Sequence, residues 1–117
     1  MKDQKMRDKQ LIEKTIEHLK RIVEVRKTIS SSEQLKEDKT VQESLLFNFL
    51  QVGENFSHLS NKIIAQNNDI PFCSVIGFRN IIAHGYGTLK LNEVYEYLTK
   101  DIDPLINQLI GLLEQAS

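Results

Sequence analysis

Apolar side chains recur along this chain at helical spacing. Ile12, Ile16, Leu19 and Val23 step by four, three and four positions, the stripe of an amphipathic helix. A second stripe runs Val41, Leu45, Phe49, Val52, Phe56, Leu59 and Ile63, with a capping box, Thr40-x-x-Glu43, at its start. Between the two, 28-TISSSEQLKED-38 holds another box, Ser30-x-x-Glu33, which predicts a short extra helical turn. Asn67-Asn68-Asp69-Ile70-Pro71 is a turn cluster, and Pro71 suits the first turn of a helix over 72–84. Gly85-Tyr86-Gly87 is expected to stop that helix, because glycine accepts the left-handed backbone that helix ends favour. The fourth stripe is Val94, Leu98, Ile102, Leu105, Leu109 and Leu112, with Asn92 as candidate N-cap. Pro104 predicts a kink or break near 101–103. No segment sustains strand alternation, so the pattern predicts an all-α chain of four main helices in a bundle.

Composition narrows this further. At 117 residues the chain is expected to form a single domain over 1–117. Hydrophobic residues at 40% and charged residues at 26% belong to a folded chain rather than a disordered one. No apolar run approaches the roughly 20 residues of a membrane helix. The polar start, MKDQKMRDKQ, gives no expectation of a secretory signal. The single cysteine, Cys73, excludes an internal disulfide and fits a reducing compartment, so a cytoplasmic location is expected. Residues 1–27 carry nine Lys/Arg against five acids, +4, and the net charge of −1 leaves −5 for the remainder. A basic strip on the first helix could touch phosphates; the plainer expectation is that Glu17 pairs with Lys20 and Arg21 along a solvated face.

The helix over 72–84 carries the candidate chemistry. At about 100° per residue, Val75, Phe78, Ile81 and Ile82 fall within an arc of about 120°, the expected core face. Gly77, Asn80 and His84 cluster within about 60° on another side, where the glycine would let another helix come close. Arg79 lies about 140° from His84, so the two converge only through a long side chain, a distorted helix end or a second copy of the helix. Histidine can give and take a proton near neutral pH, and arginine offers a planar fork of donors to a phosphate. Asparagine can hold a substrate oxygen or orient the imidazole. A metal-independent ribonuclease needs these parts. The ordinary alternatives are a histidine favoured at a helix end by the dipole and an arginine in a surface ion pair.

Other constellations are weaker. Glu54 and His58 are spaced by four, against the three of a di-iron Glu-x-x-His, and no second copy exists. His18 stands alone and is expected at the surface. Zinc-type Cys/His patterns and glycine-rich phosphate loops are absent from the sequence, so neither metal nor cofactor is expected. Cys73 is expected to be a small core residue.

The stretch 79-RNIIAHGY-86 reads Arg-x4-His-x-Tyr and resembles the signature of the HepT-like toxins, a branch of the HEPN superfamily of helical ribonucleases. The flanks extend the likeness: 41-VQESLLFNFLQVGENFSHLS-60, with its Gly53-Glu54 pair, resembles the family's second main helix, and 70–105 its motif helix, turn and last helix. Phe72 departs from the tryptophan often found after the proline, an aromatic-for-aromatic change. The resemblance implies a four- to five-helix HEPN-like bundle forming a homodimer, with the two motif helices meeting in one composite cleft. It implies Arg79 and His84 as catalytic residues on RNA, possible tRNA included, and Asn80 as their positioning partner. Tyr86 would be the regulatory residue, adenylylated by an MNT-type nucleotidyltransferase antitoxin. Glu54 is expected either to pair with Arg79 and fix its pose or to be solvated; glycine at 53, costing about 1 kcal/mol in a helix, suggests a close helix contact. Two competing expectations are a non-catalytic docking subunit for a nucleotidyltransferase and a generic helical structural protein.

Overall fold

The computed structural model describes residues 2–116, apart from the side chains of Lys2, Tyr86 and Ala116. Seven α-helices and one short 3-10 turn make up the described chain, with no strand among the described residues. They are α1 (Lys2–Arg26), α2 (Ser32–Glu37), α3 (Lys39–Ser57), α4 (Asn61–Gln66), α5 (Phe72–Gly85), the 3-10 turn Tyr86–Thr88, α6 (Leu91–Lys100) and α7 (Ile102–Ala116). The all-α bundle expected from the stripes is present. Helix α3 lies at its centre, packed on α1 and on α5, while α7 closes the far side of α1. The core draws on every stripe, with Leu19, Val52, Phe56, Leu98 and Leu109 fully excluded from water.

Several boundaries differ from the expected ones, each for a local reason. Helix α3 is capped by Asp38, whose carboxylate accepts from the Val41 N–H at 3.0 Å, so Thr40 lies inside the helix. Asp38 is also the C-cap of α2, and one residue serves both helices. The cap of α2 is Ser31, accepting from Gln34 N–H at 3.2 Å, one residue downstream of the expected Ser30, and the Gln34 side chain reaches back past the cap to accept from Ser30 N–H at 2.6 Å. The second stripe breaks after Ser57, and Ser60 caps the separate α4. That break is held from afar: buried Asp8 on α1 accepts from Ser60 N–H at 3.0 Å and from its hydroxyl at 2.6 Å. Lys90 stands at the N-cap of α6 without a side-chain cap, and Asn92 is inside the helix. The break near Pro104 is present, at Asp101 between α6 and α7. Arg26 bolts it to α1, donating to the Leu98 carbonyl at 2.7 Å and pairing with Asp103 at 3.1 Å.

Helix α5 runs through Gly85 and tightens into the 3-10 turn, and no described glycine has a positive φ. Its end is closed by the Thr88 hydroxyl, which donates to the Gly85 carbonyl at 2.7 Å. Among the described residues Glu17 pairs with neither Lys20 nor Arg21; a local ion pair instead joins Lys27, just past the end of α1, to Glu24 at 3.2 Å. No helix is long and apolar enough to cross a membrane.

The α3–α5 seam is aromatic. Phe56 stands edge-on to Phe72 with centroids 4.9 Å apart, and Phe49 edge-on to Phe78 at 5.1 Å. Phe72 thus takes a fully buried anchoring place at the start of α5. Cys73, one step round the helix, is exposed rather than in the core. Phe56→Ala is expected to cost about 3–5 kcal/mol in urea unfolding, because it empties the anchor site of the motif helix. Cys73→Ser should change stability by less than about 0.5 kcal/mol in the same measurement.

Candidate functional site

The seam that fixes α5 also fixes Arg79. A Cβ built on Gly53 would collide with the Arg79 Cβ and Cγ, so the arginine stem lies directly across the α3 backbone where α3 has no side chain. This is the close helix contact expected of Gly53, and a side chain of this chain is what fills it. The stem leads the guanidinium to Glu54, the next residue of α3. Arg79 Nη2 donates to Glu54 Oε2 at 2.6 Å, so of the two expectations for Glu54 the paired one holds. Arg79 Nη1 donates to Asn80 Oδ1 at 2.9 Å. The side chain is half-buried, and two of the five guanidinium N–H donors are engaged among the described residues.

Glu54 has a second partner, His58, whose Nε2 lies 3.0 Å from Oε1. The hydrogen bond from His58, together with the Arg79 charge, holds the Glu54 carboxyl below its ordinary 4.5 against a partial desolvation that raises it. The sequence weighs His58 only as a weak metal ligand and gives it no other role. The same i, i+4 spacing places it one helical turn from Glu54 on one face, which is the signal for this contact. Among the described residues no three His, Cys, Asp or Glu side chains gather into a metal-binding group.

His84 stands apart. It is exposed in the last turn of α5, with no hydrogen bond or ion pair among the described residues. Asn80 is exposed one turn before it, and Gly77 faces open space, so no helix of this chain approaches that side. The structure therefore joins Glu54, Arg79 and Asn80, and leaves His84 outside their network. The expected core arc of α5 is narrower than the wheel suggests: Val75 and Ile82 are buried, Phe78 is half-buried, and Ile81 is 50% exposed. On its other flank α5 borders an open, largely apolar groove of about 450 Å³ lined by Phe78, Ile81, Leu89, Val94 and Tyr97. The Tyr86 backbone begins the 3-10 turn just past His84; its side chain, the expected regulatory group, lies outside the described residues. His18 is half-buried rather than at the surface. Its Nδ1 lies 2.8 Å from Asn48 Oδ1, and since the Asn48 amide nitrogen donates to Ser44 at 2.8 Å, the imidazole proton sits on Nδ1.

Gly53→Ala is expected to force Arg79 off the α3 backbone and to destabilise the seam by about 1–3 kcal/mol, read as a lowered thermal midpoint. The Glu54 carboxyl carbon, followed by NMR, should titrate below 4.5 and move up in His58→Ala. Because the folded-state value is the lowered one, any stability from this ionised carboxyl is complete above 4.5 and is lost as pH falls through the depressed value.

No curated protein and no solved structure matches the chain. A family model described as Ribonuclease HepT-like matches residues 12–111. That span contains Gly53, Glu54 and the whole Arg79–Tyr86 motif, and it covers most of the sequence. The chain, whose motif already pointed this way, belongs to the HepT-like ribonuclease family.

Proposed function

We propose that the protein is a metal-independent ribonuclease toxin of a toxin–antitoxin pair, acting on RNA at a cleft shared by two copies of the chain. The observation that carries this reading is the fixed guanidinium of Arg79, tied at one edge to Glu54 and Asn80 with donors left for a phosphate. The exposed imidazole of His84, without a hydrogen-bond partner among the described residues, supplies the proton chemistry. On the wheel these two point about 140° apart, so one chain supplies them to different sides of α5. A twofold pairing of α5 helices would bring the arginine of one copy to the histidine of the other. The open face at Gly77, Ile81 at 50% exposure, and Phe47 at 55% on the Glu54 stripe support such a pairing.

In this cleft neutral His84 takes the proton of an RNA 2′-hydroxyl. The 2′-oxygen bonds to the adjacent phosphorus, the bond from phosphorus to the 5′-oxygen breaks, and a protonated imidazole of the cleft returns a proton to that oxygen. Arg79 stabilises the charge gathering on the phosphoryl oxygens. The products are a 2′,3′-cyclic phosphate and a free 5′-hydroxyl. An MNT-type nucleotidyltransferase antitoxin would silence the site by adenylylating Tyr86, adding bulk and negative charge next to His84 where the RNA backbone must lie.

Purified His84→Ala should lose about 10²–10⁴-fold in RNA cleavage and Arg79→Ala about 10²–10³-fold, with unchanged helical circular dichroism. Expression of the parent without any antitoxin should arrest growth, and neither variant should. A variant that cuts RNA as fast as the parent, or a parent that leaves growth untouched, favours the non-catalytic docking subunit instead.

A further inference from the structure

We infer that His58 is a positioning residue for Arg79, acting through Glu54; its kinetic consequence rests on the ribonuclease reading above. A guanidinium and a carboxylate left to themselves tend to settle into a two-bond fork. Here the carboxylate is divided. His58 Nε2 occupies Oε1 at 3.0 Å, and Arg79 Nη2 has Oε2 alone at 2.6 Å. The other terminal nitrogen of Arg79 turns to Asn80 Oδ1 at 2.9 Å instead of to Glu54. The guanidinium is thereby held at one edge and kept from closing fully on the acid, which leaves donors for a phosphate.

His58 is itself well placed for this. It is the C-cap of α3, its backbone N–H bonded to the Asn55 and Phe56 carbonyls, so its ring starts from a fixed point one turn beyond Glu54. A carboxylate only accepts, so Nε2 carries the proton, and the contact persists whether or not Nδ1 is protonated. The imidazole is 62% exposed and fills no cavity, so its removal costs no packing. A residue with a merely structural role at this place would be almost silent. A residue that shares out the oxygens of Glu54 is not, because its loss frees Oε1 to capture Arg79.

On a short RNA substrate, His58→Ala should lower kcat by about tenfold while KM stays within about twofold, since the arginine acts mainly on the transition state. The thermal midpoint should not move. His58→Gln, whose amide nitrogen reaches about where Nε2 sits, should restore most of the rate. In a Glu54→Gln background, adding His58→Ala should change nothing further, because the middle of the relay is already gone. Nitrogen NMR of the Arg79 guanidinium in the full chain reads the same relay without any RNA. Its signals should shift and its rotation slow in His58→Ala, and not in His58→Gln. Identical guanidinium signals in parent and His58→Ala, failure of glutamine to rescue, or an undiminished His58→Ala effect in the Glu54→Gln background overturns the inference. Shifted signals in a protein that cuts no RNA leave the relay standing and remove the ribonuclease reading.

Discussion

Everything at the candidate site depends on one arginine stem lying across one glycine. A long cationic side chain emerging between two packed helices must bury its methylenes and still deliver its charge to a partner. Gly53 solves the first requirement, since the space a Cβ would occupy is filled by the Cβ and Cγ of Arg79. Glu54 solves the second, one residue along the same helix. The two adjacent residues thus do separate jobs for a third that lies 25 positions later in sequence. The seam of edge-on aromatics on either side, Phe56 with Phe72 and Phe49 with Phe78, sets the spacing at which this fit works.

The pattern that was legible in the sequence was periodic. Stripes at helical spacing located the helices, because burial on one face imposes that period whatever the ends do. They located ends poorly. Asp38 and Thr40 are both good cap types, and the choice fell to Asp38 because it also closes α2. The stripe from Val41 to Ile63 carried no sign of the break at Ser57, since Ile63 and Ile64 of α4 are still half-buried against the core, and Asp8 from a distant part of the chain holds the break. A helical wheel makes the core arc of α5 too wide because it assumes a helix embedded in the bundle. Helix α5 packs mainly on α3, so Ile81 and Cys73 fall on the open side.

At the site, the residues were legible from the motif and its flanks, and their contacts only partly so. Glu54 and Arg79 are joined as one of the two expectations had it. The spacing of His58 from Glu54 argues against a di-iron pair and leaves its role open, because i, i+4 proximity says that two side chains meet and not what a third residue does between them. Gly77 leaves room for a helix to approach, and among the described residues nothing lies within 4 Å of a Cβ placed there.

The division of the site follows from helix geometry. Asn80 and His84 share a face one turn apart, while Arg79 is turned away toward α3. A single α5 therefore presents an ordered, charge-holding side at Arg79 and a separate side at His84, which has no hydrogen-bond partner among the described residues, and no rotamer of His84 alone unites them without spanning the width of the helix. The two halves also ask for different surroundings. A guanidinium that must meet a phosphate works best when its pose is fixed in advance, which the Gly53–Glu54 pair does. An imidazole that must take up and release protons works best with its nitrogens unclaimed, which the exposed end of α5 allows. On the proposed reading, dimerisation is then a catalytic requirement rather than an accessory of stability. On the same reading, a modification at Tyr86, whose backbone follows Gly85 at the end of α5, would control the site without any change in the α3–α5 seam that holds Arg79.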